Sequence, residues 1–357
     1  MIVNIFGDIC LQGIDPSSFA YDGHVSEIMR SGVNIGNLES PVTTSETEKP
    51  MQARNIKASL HALEVLAPFD AVSLANNHIQ DYGDTGCRDT ISALDSMKIA
   101  HFGLGRNREE AMAPLIIERD GCRMALLGAT RYANARGSYG TSPEILSRLR
   151  KVIRTLKREG CLVIPYFHWG YEYVRLPAPR ERRIAHACID AGADLVIGAH
   201  PHVYQAVEEY RGRKIFYSLG NFIFNSGLYD LAPQADDPRL TVSFFLTASI
   251  ERGRVASVQL HGYQTGNTGV RSFGPAENQA LLGDVDSISS VFKAGYPAYW
   301  KAYYRQAAAI CMQNRKVRHT YQRISSRKLA DRCRILLAFN SQDLRNRLAC
   351  RAQWLFK

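Results

Sequence analysis

Residues 180–202 read Arg-Glu-Arg-Arg-Ile-Ala-His-Ala-Cys-Ile-Asp-Ala-Gly-Ala-Asp-Leu-Val-Ile-Gly-Ala-His-Pro-His, and this stretch decides the predicted fold. Its first part, about 180–191, predicts a helix that ends before Gly192, and the apolar run 194–197 predicts a buried strand. His200 and His202 come directly after that strand. Helices that alternate with short buried strands are typical of α/β proteins, so the stretch predicts an α/β fold.

The same alternation continues outward in both directions along the chain. Strands are predicted at 2–6, 33–37, 71–75, 114–118, 123–128, 161–167, 194–197, 213–219, 242–250 and 254–261. Further helices are predicted at 57–67, 85–97 and 143–158. Ser142 and Pro143 suit the start of the last of these helices, and Gly160 suits its end.

The chain is predicted to divide into three parts. Residues 1–265 form the α/β domain, glycines and polar residues predict a linker at 266–284, and residues 285–357 form a basic helical C-terminal region. Two prolines and the lack of periodicity predict a loop at 228–240.

Composition excludes several classes of protein. Hydrophobic residues make up 45% and charged residues 22% of the chain, which is ordinary for a globular protein. No apolar run approaches the roughly 18 residues that cross a bilayer. The start of the chain lacks the features of a signal peptide, so we expect a cytoplasmic protein. The eight cysteines form no Cys-x-x-Cys pair, and disulfides are not predicted.

Positive charge is concentrated at the end of the chain. Residues 295–357 contain fourteen Lys or Arg and two Asp, an excess of twelve positive charges, whereas the net charge of the whole chain is +10. The region is a solvated helical face, a membrane-surface contact or a contact with an anionic polymer or nucleic acid. Trp300, Tyr303, Tyr304, Trp354 and Phe356 lie among the cations and favour peripheral contact with the inner membrane, and nucleic acid is the least favoured partner.

Polar residues that can bind metal follow several of the predicted strands. Carboxylates, an amide and imidazoles stand at five strand ends: Asp8, Glu39, Asn77, His78, His168, His200 and His202. Each residue alone also suits a turn, a cap or a loop. Because the carboxyl ends of strands in an α/β sheet share one edge, where ligands bind, we expect these side chains to converge on one site.

The residue types suit one or two divalent ions, such as Mn, Fe or Zn, held by mixed oxygen and nitrogen ligands. Glu39 has two oxygens and can bridge two ions, and Asn77 can offer a neutral carbonyl oxygen. His200 and His202 are two positions apart and can reach different ions. His78 is the predicted proton donor to a leaving group. Two ions about 3.5–4 Å apart would activate water and stabilise both the attacking and the leaving oxygen.

Five motifs of the sequence resemble those of the CapA family of capsule synthesis proteins. They are Asn37-Leu38-Glu39-Ser40-Pro41, Asn76-Asn77-His78-x-x-Asp81-Tyr82-Gly83, His168-Trp169-Gly170-x-Glu172-Tyr173, Gly198-Ala199-His200-Pro201-His202 and Tyr217-Ser218-Leu219-Gly220-Asn221-Phe222. This family resembles the calcineurin-like metallophosphoesterases. The resemblance covers residues 1 to about 265 and implies a four-layer α/β/β/α sandwich, with the basic helical region as a C-terminal extension.

The resemblance also implies roles for individual residues. The implied metal ligands are Asp8, Glu39, Asn77, His168, His200 and His202, with His78 near the scissile group. Asp81 and Glu172 are expected to orient histidines, and Asn221 to contact substrate or to stabilise a turn. Cys10 stands where metallophosphoesterases usually have a histidine, and a cysteine there more often packs than binds metal.

Three functions remain open on the sequence. The first is a metal-dependent hydrolase, phosphoesterase-like, in the biosynthesis of a capsule, an exopolysaccharide or poly-γ-glutamate, with an anionic polymer or a lipid-linked compound as substrate. The second is a non-catalytic metal-binding accessory protein of a surface-polymer synthesis complex, which Cys10 favours. The third is a nuclease, which only the fold family and the basic tail favour.

Overall fold

The computed structural model describes residues 1–48, 55–132, 138–225, 238–292 and 295–305. Its strands are β1 Ile2–Ile9, β2 Ala20–Tyr21, β3 Val33–Leu38, β4 Ala71–Ser73, β5 Ala100–Phe102, β6 Leu104–Gly105, β7 Leu115–Arg119, β8 Cys122–Thr130, β9 Gly140–Thr141, β10 Leu162–His168, β11 Val196–Ala199, β12 Val207–Tyr210, β13 Arg213–Phe216, β14 Asn221–Ile223, β15 Val242–Glu251, β16 Arg254–Gly266 and β17 Gly269–Ser272. Its α-helices are α1 Gly23–Ser31, α2 Gly83–Ser96, α3 Arg108–Ala111, α4 Leu146–Arg158, α5 Pro179–Ala191 and α6 Pro275–Ser289.

Two sheets dominate the molecule. The larger has the order β2-β17-β16-β15-β1-β3-β4-β5, with β14 paired to β1, and the smaller has the order β12-β13-β11-β10-β8-β7. The predicted site residues follow two sets of parallel strands. In the large sheet β3 pairs in parallel with both β1 and β4, and in the small sheet β10 pairs in parallel with β11. Each sheet therefore has an edge where carboxyl ends of parallel strands meet.

Three hydrophobic clusters explain how the elements stack. One cluster joins the sheets to each other, with Val3 and Ile5 of β1 packed in the same core as Leu126 of β8 and Ile164 of β10. A second packs the large sheet against α1 and α2, and a third packs the small sheet against α4 and α5. Neighbouring residues of β1 serve different clusters, since Phe6, the residue after Ile5, belongs to the second one. The fold is mixed α/β, as predicted.

All ten predicted strands are present, with shifted ends. Two of the helices, α2 and α5, lie where they were predicted. The helix predicted from Pro143 starts only at Leu146, because the backbone of Ser142 pairs with Gly103 and Thr130 and is therefore extended. At 57–67 there is only a 3-10 helix, His61–Leu66, since Ala58 pairs with Val42 before it.

The prediction of a linker at 266–284 is wrong. It contains β17, which pairs with β16 and β2, and most of α6. Leu281 and Val285 of α6 are buried in the core that lies between the sheets. The helix has only two buried side chains in fifteen residues, so its sequence lacks a strong amphipathic pattern. The body of the protein thus extends at least to the end of α6.

A short helical stretch, residues 296–305, is described after α6. The rest of the basic C-terminal region, 306–357, and most of the predicted loop at 228–240 lie outside the described residues. Within the part of the chain that the structure covers, no helix has the length and apolar character needed to cross a bilayer.

Candidate metal centre

The predicted site residues come together where the edges of the two sheets meet. The large sheet and its loops contribute Asp8, Glu39 and Asn77, and the small sheet and its loops contribute His168, His200 and His202. The sequence predicted one sheet edge, whereas the structure assembles the site from two.

Glu39 lies at the centre of the cluster. Its side chain is fully buried, and neither of its carboxylate oxygens has a hydrogen-bond partner. Its Oε1 is 3.7 Å from Nε2 of His168 and 3.7 Å from Nε2 of His202. Burial of a carboxylate without hydrogen bonds is costly unless a cation compensates it. These two oxygens therefore fit a bound metal ion.

Asp8 is held rigidly beside Glu39. Its Oδ1 accepts a hydrogen bond from the Asn37 amide at 2.7 Å, and its Oδ2 accepts one from the backbone N–H of His200 at 2.8 Å. Its carboxylate oxygens are also 3.7 Å from Nδ1 of His168 and 3.8 Å from Nδ1 of His202. One carboxylate thus ties the large sheet to both histidine-bearing loops.

Asn77, His168 and His200 form a chain of close polar atoms. Nε2 of His168 is 2.7 Å from Oδ1 of Asn77 and 3.1 Å from Nδ1 of His200. Two ring nitrogens and an amide oxygen at these separations converge as ligands around one ion would.

The histidine loop after β11 has an unusual backbone. His200 has a φ of 96° and His202 a φ of 58°, both in the left-handed region that non-glycine residues rarely adopt. Such a conformation costs on the order of 1–3 kcal/mol and is typically retained at functional sites. Here it directs two imidazoles from one short loop into the cluster.

Burial shifts the pKa values of the site carboxyls and of two site histidines in opposite directions. Burial raises the pKa of Glu39 well above its usual value, and the charges of Asp8 and Glu172 raise it further. Burial also raises the pKa of Asp8, opposed mainly by His202. Burial, and then the neighbouring histidines, lower the pKa of His168 and His200 well below the usual value. Both rings are therefore neutral at neutral pH and keep a lone pair for a metal.

Three overlapping groups of residues have ligand atoms within 4.8 Å of one another: Glu39 with His168 and His200, Asp8 with Glu39 and His202, and Glu172 with His200 and His202. Glu39 belongs to two of the groups. A carboxylate shared in this way suits a bridge between two ions.

His78 lies at the border of the cluster and is only partly exposed. Its Nδ1 is 2.8 Å from Oδ2 of Asp81, a carboxylate that is fully buried. Asp81 also accepts a hydrogen bond from the backbone of Ile56, which fixes the carboxylate. The imidazole is thus oriented through one nitrogen, and the other is left for chemistry.

The remaining predicted residues occupy different positions. Asn221 approaches Nδ1 of His202 through its Oδ1 at 2.9 Å and donates to the carbonyl of Leu240. Glu172 is exposed at the outer side of the histidine loop. Cys10 is buried in an apolar cluster with Val203 and belongs to none of the ligand groups found among the described residues.

Sequence reasoning gave no role to Asn37 and Tyr132. Asn37 contacts both Asp8 and His168. It lies in β3, two residues before Glu39, so the two side chains point to the same side of the chain. That alternation is the signal that could have identified it. Tyr132 packs its ring 4.5 Å from the ring of His200, and no pattern in the sequence indicates this contact.

Gly7 allows the strand that bears Asp8 to approach the loop before β14. The N–H of Asp8 donates to the carbonyl of Gly220 at 2.9 Å. A Cβ at residue 7 would lie 2.0 Å from that same carbonyl oxygen. Only glycine permits this contact, which sets the position of Asp8.

A buried cluster of two carboxylates, an amide and three imidazoles at the junction of two sheets defines an α/β protein with a candidate metal centre. The chain belongs to the bacterial capsule synthesis protein family PGA_cap, whose model matches residues 7–226. The resemblance to the CapA family is thereby confirmed.

Named relatives support this assignment. The capsule biosynthesis protein CapA of Bacillus anthracis is 36% identical over 219 residues, which are 57% of this chain and 53% of the relative. The PGA biosynthesis protein CapA of Bacillus subtilis (strain 168) is 34% identical over 218 residues, 57% of this chain and 56% of the relative. A "Probable polyglutamine synthesis accessory protein" of Mycobacterium tuberculosis is 28% identical over 218 residues, 56% of this chain and 57% of the relative. The match thus spans a little over half the length of each relative.

Among solved structures, a hypothetical protein from Thermus thermophilus covers 74% of this chain and 99% of its own, with 15% identity and a TM-score of 0.47. A likeness this distant supports no inference about function.

Proposed function

We propose that the protein is a metal-dependent hydrolase of phosphoester bonds that acts in the synthesis of a capsule, an exopolysaccharide or poly-γ-glutamate. The names of the relatives support the process, and the two packed sheets with helices on both outer sides support a four-layer metallophosphoesterase-like sandwich. The proposed substrate is an anionic polymer or a lipid-linked intermediate.

The observation that supports the proposal most strongly is that the buried carboxylate of Glu39 has no hydrogen-bond partner. Both buried carboxylate oxygens lack a hydrogen bond, and one of them, Oε1, is 3.7 Å from the imidazoles of His168 and His202. A purely structural carboxylate at this depth would have hydrogen-bond partners. One or two divalent ions, Mn, Fe or Zn, would compensate this charge and would supply Lewis acidity toward a phosphoryl oxygen.

The residues of the chain have separate tasks in this proposal. Asp8, Glu39, Asn77, His168, His200 and His202 hold the ions. Asn37 orients Asp8 and His168 through its amide, and Asn221 orients His202. His78, held through Nδ1 by Asp81, donates a proton from Nε2 to the leaving oxygen.

Metal analysis and an esterase screen test the proposal together. The protein is reconstituted separately with Mn²⁺, Fe²⁺ and Zn²⁺, its metal content is measured, and it is assayed on a phosphomonoester and a phosphodiester. We expect one to two ions per chain, ester hydrolysis, and loss of both in Asp8→Ala and His200→Ala. Less than about 0.2 ion per chain in every reconstitution overturns the metal centre.

A second function, a non-catalytic accessory protein that keeps the site for binding, is favoured by one observation. Cys10 packs among apolar residues at the position where the first motif of metallophosphoesterases carries a histidine. The name of the mycobacterial relative is consistent with such a role. Full metal loading without hydrolysis of any ester would support this alternative.

We also propose peripheral contact with an anionic inner-membrane surface through the basic C-terminal region, on the basis of its charge. Trp300 and Tyr303 are partly exposed and also hydrogen-bond to residues 175–176. Further support is the composition of 306–357, which contains twelve Lys or Arg and two Asp. Flotation with anionic liposomes should require residues 306–357 and weaken with salt; equal flotation without them contradicts the proposal.

A further inference from the structure

Glu172 is the exposed member of one of the candidate ligand groups. Its carboxylate lies within 4.8 Å of ligand atoms of His200 and His202. Unlike the other members of the candidate groups, it is exposed. A side chain on the surface loses its geometry unless the backbone that carries it is held by something else.

The backbone beside Glu172 is strained. The next residue, Tyr173, has a φ of 65°, a conformation that is costly for a bulky side chain. Its N–H donates to the carbonyl of Pro201, between the two site histidines, at 2.8 Å. The turn that carries Glu172 is therefore connected directly to the histidine loop and needs support from its surroundings.

Part of that support comes from the helical stretch 296–305, through Tyr296, Trp300 and Tyr303, which we call the docking face. The hydroxyl of Tyr303 accepts from the N–H of Arg175 at 3.2 Å. Trp300 Nε1 donates to the carbonyl of Leu176 at 3.3 Å, and the hydroxyl of Tyr296 donates to the carbonyl of Pro177 at 2.5 Å.

Two features make this contact specific. The three residues are four and three positions apart, so they lie on one side of the helix. Three consecutive residues of the loop, 175–177, each receive one of the three contacts. On the other side of Glu172, Tyr171 packs its ring 6.0 Å from Trp300. Contacts with the helix thus flank Glu172 in the sequence.

We propose that Glu172 is an additional metal ligand, and that the docking face of helix 296–305 holds it against His200 and His202. This inference rests on the proposed metal centre. The docking residues act through Glu172 and do not touch an ion themselves, so they are positioning residues. Substitutions of groups that orient metal ligands typically weaken metal affinity by about 10–100-fold.

Titration of the metal-free full-length chain with Mn²⁺ in a calorimeter tests the inference. Glu172→Gln removes the negative charge of the proposed ligand and leaves a weaker, neutral oxygen donor. The triple variant Tyr296→Phe, Trp300→Phe and Tyr303→Phe removes the three hydrogen bonds and keeps aromatic rings. Tyr299→Phe is the matched control, because Tyr299 lies on the same helix and is 50% exposed. Tyr303→Phe alone replaces the triple variant if the latter shows no melting transition in EDTA.

We expect Glu172→Gln and the triple variant each to weaken Mn²⁺ binding by about 10–100-fold, with Tyr299→Phe unchanged. Combining the two changes should cause no further loss, because they remove the same interaction. An unchanged affinity in Glu172→Gln overturns the inference and leaves the metal centre intact. Losses that add in the combined variant show that the helix acts independently of Glu172, which also overturns it. Absence of Mn²⁺ binding in the wild type contradicts the proposed metal centre itself.

Discussion

Replacement of Glu39 by glutamine should stabilise the metal-free protein and weaken its metal binding. In the metal-free protein this residue is a fully buried acid whose two oxygens lack hydrogen bonds. Leaving a buried polar group unsatisfied costs about 1–3 kcal/mol, and a charged group costs more. The amide carries no charge, so it avoids repulsion from Asp8 and Glu172.

The difference in stability between Glu39→Gln and the wild type should depend on pH. The pKa of Glu39 is raised above its usual value of 4.5 in the folded state, chiefly by burial. A carboxyl whose pKa is raised by folding makes the folded protein more stable below pH 4.5 than at higher pH. Below pH 4.5 the acid is protonated in both the folded and the unfolded state. This additional stability is lost as the pH rises from 4.5 toward the folded-state pKa. The stability advantage of Glu39→Gln should therefore be small at pH 4.5 and grow toward pH 7.5.

Thermal unfolding in EDTA between pH 4.5 and 7.5, followed by Mn²⁺ titration at pH 7.5, measures both effects. We expect the free energy of unfolding of Glu39→Gln to exceed that of the wild type by about 1–3 kcal/mol at pH 7.5. Its Mn²⁺ affinity should fall by more than about 100-fold, beyond the effect of losing an orienting group. Glu251→Gln, an exposed change at the end of β15, is the control. A metal-free Glu39→Gln variant less stable than the wild type at pH 7.5 would refute the reasoning.

Three further predictions concern other parts of the chain. Gly7→Ala should lower stability by about 1–3 kcal/mol and reduce metal affinity, because its Cβ would meet the carbonyl oxygen of Gly220 at 2.0 Å; unchanged unfolding and metal titrations would contradict this. His78→Ala should keep its metal and lower turnover about 10²–10⁴-fold, and loss of metal in elemental analysis would show that His78 is a ligand. Glu208 accepts a hydrogen bond from Arg182. Burial raises the pKa of Glu208, but hydrogen bonds, chiefly from His186 and Arg182, outweigh it and lower the pKa to about 2. Its stabilising contribution should be present above pH 4.5 and disappear as the pH falls toward 2, so Glu208→Gln should flatten acid unfolding in that window; parallel curves for the two proteins would argue against this.

The sequence predicted those parts of the fold whose signal is local. Apolar runs identified all ten predicted strands, and polar residues at strand ends identified the residues that converge in the structure. The number of sheets was not accessible, since periodicity does not reveal which strands pair with which. Asn37 was overlooked because it lies inside a strand that is buried throughout.

Two features near the C-terminus were not predicted, and the physical cause is the same for both. Helix α6 was predicted as part of a linker because only Leu281 and Val285 are buried, and its position depends on sheets formed much earlier in the chain. The contacts of Trp300 and Tyr303 with the loop 175–176 were not predicted either. Their polar atoms bind backbone groups more than 120 residues away in the sequence. A distant backbone partner leaves no pattern in the residues around either aromatic side chain.

The hydrogen bond between Asp8 and the backbone of His200 joins residues that are 192 positions apart. At a synthesis rate of about 5–20 residues per second, the acidic part of the centre emerges roughly 10–40 seconds before its histidine partners. During that interval β1 and β3 have only part of the small sheet to pack against, because β12 and β13 follow His200 in the chain. Because the site takes residues from both sheets, it forms only after the sheets have joined, and capture of the proposed metal would follow that step.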